Sequence, residues 1–190
     1  MSAALQSRPP RMKVAEFVEL IRPYPDEERW ELLDGEPLLM APQSERHQQI
    51  VTNLLLQVRR LAAARGCRAL PGLGLLNDAV DDYAPIPDVV VRCGPMLEGG
   101  YARDPVFLAD VLSRSTMIND RGRKLAFYQT IASLRTILIV SQDEIRVEAW
   151  RRTEADWTLE LMRNLDDSVR ALGLGDIPVA DIYRDIPGLT

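Results

Sequence analysis

Three charged side chains stand in apolar surroundings. Asp88 lies in IPDVVV between Ile86 and Val90, Asp110 lies in LADVLS between Leu108 and Leu112, and Lys124 follows in RGRKLAFY, a helix-patterned segment. A carboxylate buried among apolar residues has to be paired or metal-bound. Side chains alternate along a strand, so Asp88 shares a face with Ile86 and Val90, and Asp110 with Val106, Leu108 and Leu112. On neighbouring strands the two acids come within one ion's reach. Like charges that close raise one pKa unless a cation neutralises them. Hard oxygen ligands completed by water suit Mg²⁺ or Mn²⁺. Such an ion polarises a phosphate ester and lowers the pKa of a bound water for in-line attack. Lys124 then serves either to hold and deprotonate that water or to stabilise charge developing on the phosphate. The plainer reading is that Asp88 caps a turn after Pro87, Asp110 sits at a strand end and Lys124 is a solvated helix charge.

Other residues fit around this constellation. His47, the single histidine, opens the apolar face of a long helix and reads as a partner of the metal site, a phosphate contact or a satisfied boundary residue. Glu31 alternates with Trp30 and Leu32, and is either a third carboxylate reaching the ion or an exposed hairpin residue. Glu36 reads as structural. Arg114, Arg121 and Arg123 flank Lys124 and either meet a phosphate backbone or form a solvated face. Only two of the 23 basic residues are lysines, Lys13 and Lys124. A chain that uses arginine for general positive charge thus keeps the compact, pKa-adaptable ammonium in the candidate site.

The elements that must position these groups follow from pattern. Helical spacing over 14–22 is stopped by Pro23 and Pro25. Asp34-Gly35 between apolar runs predicts a type I′ hairpin with strands over 29–34 and 36–41. Ser44 is the N-cap of a helix over 45–65, closed by Gly66. Residues 67–78 read as irregular, 85–92 and 105–112 as the Asp88 and Asp110 strands, and Thr116 as the cap of a helix running to 132. LRTILIVSQ is a strand covered on both faces, and EIRVEAWRR and DWTLELMR continue as a meander. The tail from Asp166 is polar, with a short docking helix, and residues 1–13 are expected to be frayed. The order is α/β with a mixed central sheet in one domain.

Composition excludes several classes. A length of 190 residues supports one sizeable core, and no apolar run reaches the roughly 20 residues of a membrane helix. The opening segment lacks a signal-peptide core, which places the chain in the cytoplasm. A net charge of −5 argues against a general nucleic-acid binder working through a basic surface. Cys67 and Cys93 are in no metal-ligand spacing and read as reduced, partly buried thiols.

The succession WELLDGE, a helix from near His47, IPDVVV, ADVLSRST, RGRKLAFYQ and ILIVSQDEIRVEAW resembles the Uma-two-type endonucleases. These are bacterial proteins of the restriction-endonuclease-like PD-(D/E)XK superfamily, and the resemblance spans residues 29–185. It implies helices flanking a central mixed sheet and a Mg²⁺-dependent site hydrolysing DNA phosphodiesters. The PD aspartate falls on Asp88 and the (D/E) position on Asp110. The lysine, displaced in this family to the following helix, falls on Lys124. Glu31 and His47 match recurring positions of the opening segments. By analogy with enzymes that cut both strands, the resemblance also implies a homodimer. Two positions depart from the pattern: glutamate is usual where Asp110 stands, and proline where Arg114 stands. The shorter acid and the acidic net charge support a rival reading, a non-catalytic module of the same fold that binds nucleic acid or a partner protein.

Overall fold

In the computed structural model of this chain, the described residues are 11–25, 27–113 and 121–189. The first helix, α1 (Val14–Ile21), buries Phe17 against the hairpin of β1 (Trp30–Leu33) and β2 (Glu36–Leu39). Both turn residues take positive φ, Asp34 at 52° and Gly35 at 77°, as a type I′ turn requires. The hairpin is a separate two-stranded sheet. Leu32 anchors it by exchanging backbone hydrogen bonds with Ala84 at 3.2 and 2.7 Å. Residues 11–13 depart from the expected fraying. Met12 N donates to Gly35 O of the hairpin turn, and Arg11 pairs with Asp82, whose backbone carbonyl accepts from Gly35 N.

Ser44 caps α2 (Glu45–Ala63), its hydroxyl accepting from His47 N at 3.2 Å, and Gly66 leaves the helix at φ 68°. Ile50, Leu54 and Val58 recur on one helix face and are fully buried. The chain continues through β3 (Arg68–Pro71), β4 (Gly74–Leu75), β5 (Val89–Arg92), β6 (Tyr101–Ala102) and β7 (Pro105–Leu112). After α3 (Arg121–Thr130) come β8 (Thr136–Ser141), β9 (Val147–Arg152) and β10 (Trp157–Met162). The six long strands form one mixed sheet in the order β10-β9-β8-β7-β5-β3, parallel only between β7 and β8. Every residue of β8 is buried, in keeping with its central place and unbroken apolar run.

The pleat divides the core in two. Val89, Val91, Phe107, Ala109 and Val111 face α2, while Val90, Leu108, Leu112, Ile137 and Ile139 face α3. The polar tail holds more order than its composition suggests. Strands β11 (Ser168–Ala171) and β12 (Gly175–Pro178) form a hairpin, and the short α4 (Val179–Ile182) follows. Val169, Ala171, Ile177 and Val179 alternate inward from it onto the α2 side.

Two further expectations are corrected, and one falls outside the described residues. The strand expected over 85–92 begins its ladder at Val89, so Asp88 stands at a bend just outside it. The expected Thr116 cap lies outside the described residues. Cys67 and Cys93 are not free thiols but a disulfide. The β3–β5 register pairs Arg68 with Arg92, so the next residues outward, Cys67 and Cys93, face each other. This pairing overturns the reduced thiols expected at both positions.

Candidate active site

The ladder between β5 and β7 ends at the pair Val89 and Ala109, and one step further Asp88 stands across from Asp110. Each acid is anchored by the other's strand. Asp88 N donates to Asp110 Oδ1 at 3.3 Å, and Val111 N donates to Asp88 Oδ2 at 2.8 Å. The two carboxylates therefore stay on the α3 side of the sheet, at the end where β7 and β8 finish. His47, in the first turn of α2, brings Nε2 to 3.2 Å from Asp88 Oδ2. Its Nδ1 is buried with no hydrogen-bond partner among the described residues.

Two groups arrive from α3. Lys124 Nζ donates to Glu31 Oε1 at 2.7 Å, with both side chains buried. The same Glu31 oxygen accepts from Ile86 N at 2.7 Å. Glu31 is thus not an exposed hairpin residue: it is buried, holds the lysine and lines the same cavity as the two aspartates. One helical turn after Lys124, Tyr128 donates from its hydroxyl to Asp110 Oδ2 at 2.8 Å and is fully buried. Residues four apart lie on one helix face, so the spacing of Lys124 and Tyr128 in RGRKLAFYQ was a usable signal that the motif reading overlooked.

Among the described residues, two buried carboxylates, Glu31 and Asp110, and the partly buried Asp88 stand against one lysine, which leaves negative charge in excess. Burial pushes the Asp110 carboxyl up to about 6, and neighbouring Asp88 and Glu31 add to the rise although Lys124 and Tyr128 oppose it. Burial alone would lower Lys124, but the charges of Asp110 and Glu31 outweigh it and hold the ammonium above its ordinary value. Burial and Asp110 raise the Tyr128 hydroxyl well above the usual range, so it remains a donor. A cavity of about 370 Å³ opens on these groups, walled on the hairpin side by Leu33, Leu38, Leu39 and Met40.

Of the three arginines, the structure describes the side chain of one. Arg123 is exposed and paired with Asp34 at the hairpin turn. Arg114 and the side chain of Arg121 lie outside the described residues.

Among the described residues no three histidine, cysteine, aspartate or glutamate side chains form a group that could hold a metal. The donor set is instead a facing pair of aspartates beside a cavity. That suits Mg²⁺, which typically takes one or two carboxylates and completes its shell with water and substrate phosphate. The uncompensated negative charge at Asp110 is what a divalent ion would neutralise.

A family model, Uma2, described as "Putative restriction endonuclease", matches residues 14–179. No curated protein matches the chain. Among solved structures, the chain is similar to a crystal structure of a putative nuclease belonging to DUF820 from Anabaena variabilis ATCC 29413. The TM-score is 0.72 at 17% identity, over 90% of this chain and 97% of that one. At that identity the likeness establishes the shared fold.

Proposed function

The chain belongs to the Uma2 family, and on that premise we propose that it is a metal-dependent endonuclease hydrolysing DNA phosphodiester bonds. The observation that carries the reading is the facing pair Asp88 and Asp110 with a buried lysine directed to the same cavity. Asp88 and Asp110 hold Mg²⁺ or Mn²⁺. The ion, when bound, supplies Lewis-acid polarisation of the phosphate and a water of lowered pKa.

The protein's own groups do the rest. Val111 N and His47 fix the Asp88 carboxylate, and Glu31 fixes the lysine. Of the two roles open to Lys124, electrostatic stabilisation is the better supported. Its ammonium is kept charged by its neighbours, so it offers a proton donor and a positive charge to the phosphate rather than a vacant base. Water adds to phosphorus and releases a proton to solvent, the ester P–O bond breaks, and the leaving oxygen takes up a proton. Two copies acting on opposite strands make a homodimer the working assembly, which light scattering measures.

Nicking of supercoiled plasmid with Mg²⁺ or Mn²⁺ is the direct test. Wild type should nick and Asp88→Ala should not. Lys124→Ala should lose on the order of 10²–10³ in rate, the typical loss when a charge-stabilising donor is removed. Wild-type nicking that survives Asp88→Ala and Lys124→Ala would sink this assignment. A second reading, a binding module without catalysis, is favoured by the net charge of −5 and by aspartate at position 110. Plasmid retained by the protein but never nicked, with either ion, is its signature.

A further inference from the structure

We infer that Tyr128 is a positioning residue whose hydroxyl orients the Asp110 carboxylate toward a bound divalent ion, an inference that rests on the nuclease reading. A buried tyrosine hydroxyl ordinarily takes a hydrogen-bond partner, so the bland alternative is that Asp110 merely satisfies Tyr128.

A second buried tyrosine separates the two. Tyr183, also fully buried, shares its one hydroxyl proton between the backbone carbonyls of Ser141 and Arg146 at 3.0 and 2.9 Å and accepts from Arg146 N at 3.0 Å. Carbonyls therefore suffice where the role is only to tie chain segments together. Tyr128 is spent on a carboxylate instead, at 2.8 Å.

The geometry gives that bond a directional consequence. Asp110 Oδ1 accepts from Asp88 N at 3.3 Å, a long bond, and Oδ2 accepts from Tyr128. Engaged at both oxygens, the carboxylate cannot turn about its Cβ–Cγ bond, and its remaining lone pairs keep one direction. Asp88 is held differently, through one oxygen only: Oδ2 accepts from Val111 N and faces His47. The aspartate is one methylene shorter than a glutamate, so its oxygens have less freedom to find an ion. Its orientation accordingly matters more. Because Lys124 and Tyr128 are one turn apart on α3, seating that helix places the ammonium and orients the ligand together.

The test is isothermal titration of the full-length protein with Mn²⁺ alone, on wild type, Tyr128→Phe and Tyr183→Phe. Phenylalanine keeps the ring in the core, and circular dichroism reports whether each variant is folded. Tyr128→Phe should weaken Mn²⁺ binding about tenfold, at the low end of the loss seen when an outer partner of a metal ligand is removed. Tyr183→Phe should lower the melting temperature and leave Mn²⁺ affinity unchanged. In nicking assays, Tyr128→Phe should need about tenfold more Mg²⁺ for half-maximal rate and recover most of the wild-type rate at saturation. Equal Mn²⁺ affinity for Tyr128→Phe and wild type overturns the inference, as does an equal loss in Tyr183→Phe. If wild type itself binds no Mn²⁺, the proposed metal site falls and this role falls with it, an outcome readable from the first titration alone.

Discussion

At one end of β5 Arg92 is buried, and at the other stands Asp88, yet the two ends treat charge in opposite ways. Arg92 meets Asp104 through two parallel bonds, Nε to Oδ1 at 2.8 Å and Nη2 to Oδ2 at 2.9 Å, and donates its remaining nitrogen to Pro95 O. The guanidinium fork fits a carboxylate in this bidentate way, and it holds Asp104 below the ordinary carboxylate range. The Cys67–Cys93 disulfide braces the same end. At the Asp88 end no such balance is reached. Lys124 bonds to Glu31, Asp110 is nonetheless pushed up to about 6, and His47 Nδ1 has no partner among the described residues. One end of the strand is a finished ion pair that stabilises the sheet. The other, among the described residues, keeps negative charge beside a cavity, where the proposed cation would bind.

That contrast can be broken from either side. Reducing Cys67–Cys93, which closes a sequence separation of 26, should lower stability by about 2–4 kcal/mol on the loop-entropy scale. Urea unfolding with and without reductant measures it. Mn²⁺ affinity should be unchanged, because the bond braces the far end of the strand; a loss of affinity on reduction would show the two ends to be coupled.

The Asp88 end should respond in the reverse sense. Asp110→Asn removes the proposed ligand and with it activity, but should raise the melting temperature of the metal-free protein at pH 8 by a few degrees. The pH window follows from the raised pKa. Asp110 in the folded state binds its proton more tightly than the unfolded side chain, of ordinary value 3.8. Its ionisation therefore penalises the fold fully above about pH 6 and progressively less as pH falls toward 3.8. The gain from Asp110→Asn should fade over that same interval. Calorimetry in chelator at pH 8 and pH 4.5 reads the difference, and an equal effect at both would refute the excess-charge picture.

The smallest effect belongs to Arg123→Ala. Its pair with Asp34 is exposed to solvent on the arginine side, so stability should change by less than about 0.5 kcal/mol. A clear loss of DNA binding by this variant with stability intact would restore it to the phosphate-contact role.

How much of this was legible differs residue by residue. Asp88, Asp110 and Lys124 could be singled out because charge inside apolar runs demands a reason. The hairpin turn was readable from Asp34-Gly35, the α2 start from Ser44, and the sheet from the apolar run 136–141, since each depends on local backbone chemistry or periodicity. Glu31 was undervalued because alternation along β1 says which side a residue faces, not what lies there; burial came from Leu32 docking on Ala84. Tyr128 was not singled out: its spacing from Lys124 marks a shared helix face, but only the fold shows that its hydroxyl meets a carboxylate from another element.

Along the chain, residue types and their periods were enough to specify the elements, their α/β order and the short set of groups able to do chemistry. Those properties depend on neighbours a few positions away, and such neighbours are written consecutively. Which charges would be balanced and which left in excess, and that Cys67 would meet Cys93, depended on strand register and on the seating of α3. Register is decided by the packing of two opposed core faces at once, and only the folded sheet brings those faces together.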